Sequence, residues 1–369
     1  MAEFNGQQVV FSPALEIGEN KLPLIVGGSS FDLTSKDIEG ATQIRNYAFY
    51  GTSINKVELS DASVRSIGSS AFSGSIIHHL TLPSRLESIG DSSFDSCGGF
   101  QSITIPASVT NIGSSAFKSC DLLTVTFGEN SQLTTIGDSA FYGVGISTIS
   151  IPDSVTTIGR YAFSKCPELF SLKFGENSQL SIIDAYAFAD NDNLSSVTVP
   201  ASVTSIGDLA FYGCAEMTSV KYEDNSQLTS IGKQAFSYCP KLTYASLPTS
   251  LTSIGEKAFQ GCSGLLGASL AATSLTSIGS YAFAGTKFSG NAYAQPKFPS
   301  TLKSMGSYVF QNCTSVVHIT FTSPTPPTIT STTFSGLSYL EKLIVPASSI
   351  DAYKTAQYWS AKASIITTA

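Results

Sequence analysis

Charge is scarce in this chain. Asp, Glu, Lys and Arg make up 13% of its 369 residues, and the formal net charge is −7. No basic run occurs anywhere, so the clustered phosphate contacts that nucleic acid demands are missing, and no such partner is expected. Histidine is rarer still: His78, His79 and His318 are all there are, with none at metal-ligand spacing from another His or a Cys, which argues against a zinc centre. There is no G-x-S-x-G elbow, phosphate loop or dinucleotide fingerprint, and GGSS at 27–30 reads as a turn. Long apolar runs are also absent. No segment approaches the length of a membrane span, and the N-terminus, MAEFNGQQVV, has neither a basic start nor a signal-peptide core. The expectation is a chain that does not insert in a membrane and that, as written, has no export signal: either it works where it is made or a signal has been removed from it.

What the chain has in abundance is a register. Thirteen phenylalanines, from Phe49, Phe72 and Phe94 through Phe283, Phe310 and Phe334, recur at spacings of 22 to 27 residues. Each has an aliphatic residue five positions upstream, from Ile44 and Ile67 to Met305 and Ile329. A period of this length with regular Leu and Ile is the mark of a leucine-rich-repeat stack, because one coil cannot bury its own apolar edge and must lie against the next. The fold class expected is a leucine-rich-repeat solenoid of about 13 coils, with mostly strand and turn or 3₁₀ content, one parallel sheet face and a cap at each end. The repeat array spans 42–346, with caps at 1–41 and 347–369.

Seven cysteines could suggest a disulfide framework. Yet Cys97, Cys120, Cys166, Cys214, Cys239, Cys262 and Cys313 each stand three residues after an anchor phenylalanine, where other coils carry Thr52, Ser75, Val144, Asn191, Thr286 or Leu337. The register explains them all, and buried free thiols packing as small hydrophobes are expected.

Leu194 to Cys214, LSSVTVPASVTSIGDLAFYGC, represents one coil. Leu194, Val197 and Val199 give the L-x-x-L-x-L pattern of a strand with alternate residues inward, and Pro200 ends it. Val203 and Ile206 return the chain to the core. Gly207 recurs in most coils, Asp184 being a visible exception, and a positive φ is expected there. A short helical or 3₁₀ turn is expected at Ala210 and Phe211. A second form of coil carries a longer turn, FGENSQL at 127–133 and 174–180 and YEDNSQL at 222–228, placing Glu129, Glu176 and Glu223 in one row. That row reads either as a solvated turn or as a weak cation or ligand site.

Irregular coils are where a solenoid keeps its specificity. The stretch TKFSGNAYAQPKFPSTL after Phe283 carries about four extra residues, a loop in which Asn291 and Tyr293 are candidate contacts. SPTPPTI at 323–329 stiffens entry to the last coil. The tail from about Ala347 reads as a short amphipathic helix and a final strand, with Tyr353 and Trp359 closing the core.

The search for reactive groups returns little. His79 and His318 fall on outward strand positions, where a lone imidazole is usually solvated. Distant carboxylates can meet in space to hydrolyse a glycoside, but stacked coils offer no deep pocket to shield them. No enzymatic activity, metal or cofactor is expected. The outward strand columns form a pavement of Ser and Thr from Thr81 to Ser269, above which Lys173, Lys221 and Tyr244 stand. The pavement serves cross-strand ladders and solubility, and the three larger side chains are the candidate anchors of a contact surface, with His79 beside them in the same columns.

The recurring L-P-x-S-L-T-S-I-G-x-x-A-F-x-G-C, as in Leu247 to Cys262, LPTSLTSIGEKAFQGC, closely resembles the BspA-like leucine-rich repeat. The resemblance covers about 42–346 and extends to the P-P-T-I turn at 326–329, I-V-P at 344–346 and the Tyr353 to Trp359 stretch. It implies a cell-surface or secreted protein that binds host-matrix or microbial surface proteins and has no catalytic residues to carry over. A self-associating structural spacer and a glycan-binding protein are the alternative readings.

Overall fold

The computed structural model describes residues 2–4, 7–9, 31–288 and 295–368. The chain forms two compact units, Met1–Leu180 and Ser181–Ala369. Each is a parallel β-solenoid with little helix, and the described residues make about 14 turns.

In the first unit the two-residue strands Gln43–Ile44, Ser66–Ile67, Ser88–Ile89, Asn111–Ile112, Thr135–Ile136 and Thr157–Ile158 pair in parallel, residue over residue. In the second, Ile182–Ile183, Ser205–Ile206, Ser230–Ile231, Ser253–Ile254, Ser277–Ile278 and Ser304–Met305 do the same. The second residue of each pair is buried and the first faces out, the two-residue period of a strand.

The L-x-x-L-x-L edge also pairs in parallel, but in separate ladders. The first unit has one of Phe31–Thr34, Ser53–Glu58 and Ile76–Thr81, then Ser102–Ile105 with Thr124–Phe127, and Thr148–Ile151 with Ser171–Phe174. The second has Ser196–Val199, Ser219–Tyr222, Tyr244–Ala245 and Gly267–Ala268, then Lys297–Phe298, His318–Phe321, Lys342–Val345 and Ile366–Thr368. The Ile edge, read from sequence as a return to the core, is thus the more regular of the two. The Ile or, at 305, Met of this edge stands five positions before Phe in every coil, so all variation in coil length falls on the other edge and offsets its strands.

The anchor rings stack along each unit. In the first, Phe49, Phe72, Phe94, Phe117, Phe141 and Phe163 follow one another at 5.1 to 5.2 Å and within 11° of parallel. In the second, Phe188, Phe211, Phe236, Phe259, Phe283 and Phe310 do so at 5.3 to 5.6 Å. These separations slightly exceed the ~4.8 Å between paired strands, as offset stacking requires. The seven cysteines are free and buried. They are not merely apolar filler, since each Sγ donates to the carbonyl of the anchor one coil earlier, as Cys97 does to Phe72 at 2.8 Å.

The repeated glycine does not take a positive φ. It clears a close approach instead: a Cβ on Gly207 would lie 2.6 Å from the Ala185 amide nitrogen, and one on Gly232 would lie 2.6 Å from the Gly207 carbonyl carbon. Positive φ values fall two residues before and two after every anchor from Phe49 to Phe310, as at Leu209 and Gly213 around Phe211 (55° and 72°) or Gln234 and Tyr238 around Phe236 (54° and 57°). Left-handed residues on both sides prevent a helix from propagating. Hydrogen-bonded turns therefore replace the expected helical or 3₁₀ turn at Phe211, and the described 3₁₀ segments are Leu270–Ala272, Ala347–Ser349 and Ser360–Ile365.

The chain finishes with the helix Ile350–Thr355 and the strand Ile366–Thr368. Tyr353 and Trp359 are buried. Tyr353 donates through its hydroxyl to the Ser323 carbonyl at 2.9 Å, and Trp359 through Nε1 to the Pro327 carbonyl at 2.8 Å. The stiff proline turn thus presents carbonyls that the tail satisfies, while the indole lies edge-on to Phe321 at 5.0 Å.

Candidate functional site

Four of the sequence-derived candidates can be placed on strands. In the first unit His79 is exposed on Ile76–Thr81, opposite Lys56. Lys56 reaches Glu58 at 3.2 Å and holds its carboxyl below the usual range. Lys173 is exposed on Ser171–Phe174, opposite Ser150, on a different ladder from His79. In the second unit Lys221 faces out opposite Thr198, and Tyr244 stands on the next strand opposite Ser219. Tyr244 is 46% exposed. The fold therefore brings Lys221 and Tyr244 together on one four-stranded sheet, and sets Lys173 and His79 on two ladders of the other unit.

Lys221 also stands at the rim of an open hollow of about 490 Å³, lined by Tyr222, Glu223, Ser246, Leu247 and Pro248 among others. The hollow arises from coil length: the long YEDNSQL turn is followed by the short Pro form, and the step between them leaves the space. Leu247 and Pro248 are apolar, while Lys221 and Glu223 are charged. Glu223 accepts the Ala201 amide at 2.9 Å. Tyr222 takes the place of Phe127 and Phe174 in the register, and burial pushes its phenol well up. Lys221 has no ion pair among the described residues.

Asn291 and Tyr293 lie outside the described residues. Gln295, just after them, uses its side chain as a stretch of strand would use its backbone. Its Oε1 accepts the amides of Val317 and His318 at 2.8 and 2.9 Å, and its Nε2 donates to the Ser315 carbonyl at 3.2 Å. Of the acidic row, Glu129 and Glu176 are exposed. Among the described residues no three His, Cys, Asp or Glu side chains converge as metal ligands, and no helix is long and apolar enough to cross a membrane.

Sequence reasoning missed the turn edge. There Tyr212 meets Tyr238 edge-on at 5.6 Å, Tyr281 stacks on Tyr308 at 5.1 Å, and Lys257 lies over Tyr281 at 5.7 Å. The signal was a scatter of tyrosines two residues before, or one or two after, the anchors.

The family described as BspA type leucine rich repeat region (6 copies) matches residues 29–133, 87–198, 181–292 and 287–367. Among solved structures, a leucine-rich repeat protein from Bacteroides ovatus ATCC 8483 is similar at 25% identity and a TM-score of 0.51, over 89% of this chain and 87% of that one. The pneumococcal vaccine antigen PcpA is similar at 20% identity and 0.40, over 89% and 90%. A leucine rich cell surface protein from Faecalibacterium prausnitzii A2-165 is similar at 22% and 0.37, over 86% of each. No curated protein matches.

Proposed function

This chain belongs to the BspA-type leucine-rich-repeat family, and on that footing we propose that it is a non-enzymatic binding module that grips a protein through the strand face of its second unit. The observation that carries this reading is the placement of Lys221 and Tyr244 on one sheet beside an open, partly apolar hollow. Exposed Ser and Thr contribute little on contact, because their hydroxyls exchange one hydrogen bond for another. A half-exposed tyrosine and an unpaired ammonium have more to gain, and aromatic anchors dominate measured interfaces. The partner is a host-matrix or microbial surface protein, and the working place is the cell surface or the medium outside it.

The reading is tested by immobilising the protein and measuring its binding to a panel of extracellular-matrix proteins and intact bacterial cells. Saturable binding to at least one is expected. Sedimentation across a wide concentration range discriminates the rival: a chain that binds nothing on the panel and assembles with itself is a structural spacer, and the binding proposal then fails.

A further inference from the structure

The turn edge of the first unit holds a spot that neither the strand face nor the repeat register explains. Tyr142, one residue after the anchor Phe141, has the Lys118 ammonium 5.8 Å and the Lys165 ammonium 5.9 Å from its ring centroid. Lys118 comes from the coil before and Lys165 from the coil after. Two ammoniums close to one ring are attracted by its electron-rich face. Neither belongs to an ion pair among the described residues.

Lys165 sits two residues after Phe163 with φ at 56°, at the left-handed position that Gly51, Gly74 and Gly143 fill in the same unit and that Ser96 and Ser119 also fill, at 57° and 54°. The register sets that backbone, and glycine adopts it more freely than lysine.

We infer that Lys118, Tyr142 and Lys165 form a contact site for an anionic polysaccharide, one whose sugars bear sulfate or carboxylate. Charge complementarity carries the choice. The chain is net negative, so a polyanion is repelled in general and held only where unpaired ammoniums converge. The neighbouring Ser119, Ser139 and Gly143 offer hydrogen bonds to sugar hydroxyls. The site is separate from the strand face and stands whether or not that face binds a protein.

The test is equilibrium binding of fluorescent dextran sulfate to the full chain at low salt, beside neutral dextran of equal length and poly-glutamate. The variant is Lys118→Gln with Lys165→Gly; the glycine relieves the backbone strain, so lost binding cannot be blamed on unfolding, and a melting curve verifies this. The double variant should bind dextran sulfate at least about tenfold more weakly, with the slope of log affinity against log salt shallower by about 1 to 2, the loss of two charge contacts. Tyr142→Phe, which keeps the ring, should bind as the parent does. Unchanged binding by the double variant, or equal binding of neutral dextran, overturns the site. If poly-glutamate binds as tightly as dextran sulfate and is lost with the same substitutions, the occupant is an acidic peptide and the polysaccharide assignment fails.

Discussion

The thiol of Cys239 lies 3.3 Å from the carbonyl oxygen of Phe211, one coil earlier, and donates to it. The same bond joins Cys120 to Phe94 at 2.8 Å and Cys262 to Phe236 at 3.0 Å, and where serine occupies the register, Ser75 gives it to Phe49 at 2.6 Å. Thr286 and Asn191 reach the anchor carbonyl of their own coil instead, at 2.8 and 3.0 Å. What these side chains share is a donor for an inward-pointing carbonyl.

Replacing Cys239 should therefore reveal a preference for chemistry over size. Cys239→Ala removes the donor and leaves a small void, with an expected loss of about 1–3 kcal/mol. Cys239→Ser keeps a donor and should retain more of the stability. Urea unfolding of the two variants measures the difference, and an alanine variant more stable than the serine variant would contradict it.

The same burial makes stability fall in alkali. Desolvation pushes the thiols of Cys97, Cys166 and Cys214 up to about 12, and that of Cys313 to about 11, from an ordinary value of 9.0. The folded state keeps these thiols neutral, while the unfolded chain ionises near pH 9. Their contribution is thus complete below pH 9 and declines as pH rises toward 11 to 12. Each thiol costs the fold about 1.4 kcal/mol for every pH step of one over which only the unfolded chain is ionised. The urea midpoint should drop between pH 8 and pH 10, and by less in a variant with all seven cysteines changed to serine. An equal drop in both chains would show that the thiols are not responsible.

Gly232 separates two explanations of the repeated glycine. If it cleared the neighbouring backbone, Gly232→Ala should cost about 1–3 kcal/mol from overpacking, and Gly232→Asn should cost more because it is larger. If a positive φ were required, asparagine, which tolerates left-handed backbone, would be the milder change. The closeness of Gly232 to the Gly207 carbonyl carbon favours the first, and thermal melting of both variants decides.

The period and the core were open to reading because Phe and Ile repeat at a fixed separation, and the tail because Tyr353 and Trp359 are the large apolar side chains there. The glycine was misread because a left-handed turn and a close backbone approach call for the same residue. Ser205–Ile206 and its equivalents are too short for a strand period to show. The hollow beside Lys221 depends on the difference in length between consecutive turns, and the lysines around Tyr142 meet only across coils, so neither leaves a local motif.

Ser93 interrupts a run of alanines, between Ala71 and Ala116 in the adjoining coils, and its hydroxyl is buried without a partner among the described residues. Ser93→Ala removes an unsatisfied group without adding volume, and a gain of about 1 kcal/mol is expected. Chemical denaturation measures it. A loss of stability would mean that the hydroxyl has a partner in solution.

The central claim is that the strand face of the second unit holds the partner protein. Lys221→Ala with Tyr244→Ala should leave the melting temperature within a degree or two of the parent, since both side chains point to solvent, and should weaken binding by about 2 kcal/mol or more if the tyrosine is an interface anchor. The decisive measurement is the dissociation constant of this double variant for whichever matrix or surface protein the parent binds, taken beside Lys173→Ala and a deletion of Gly290 to Tyr293. An increase of about thirtyfold or more in the double variant alone is the result expected. Binding equal to the parent in the double variant, with loss on deleting 290–293, would contradict the claim and place recognition in the inserted segment.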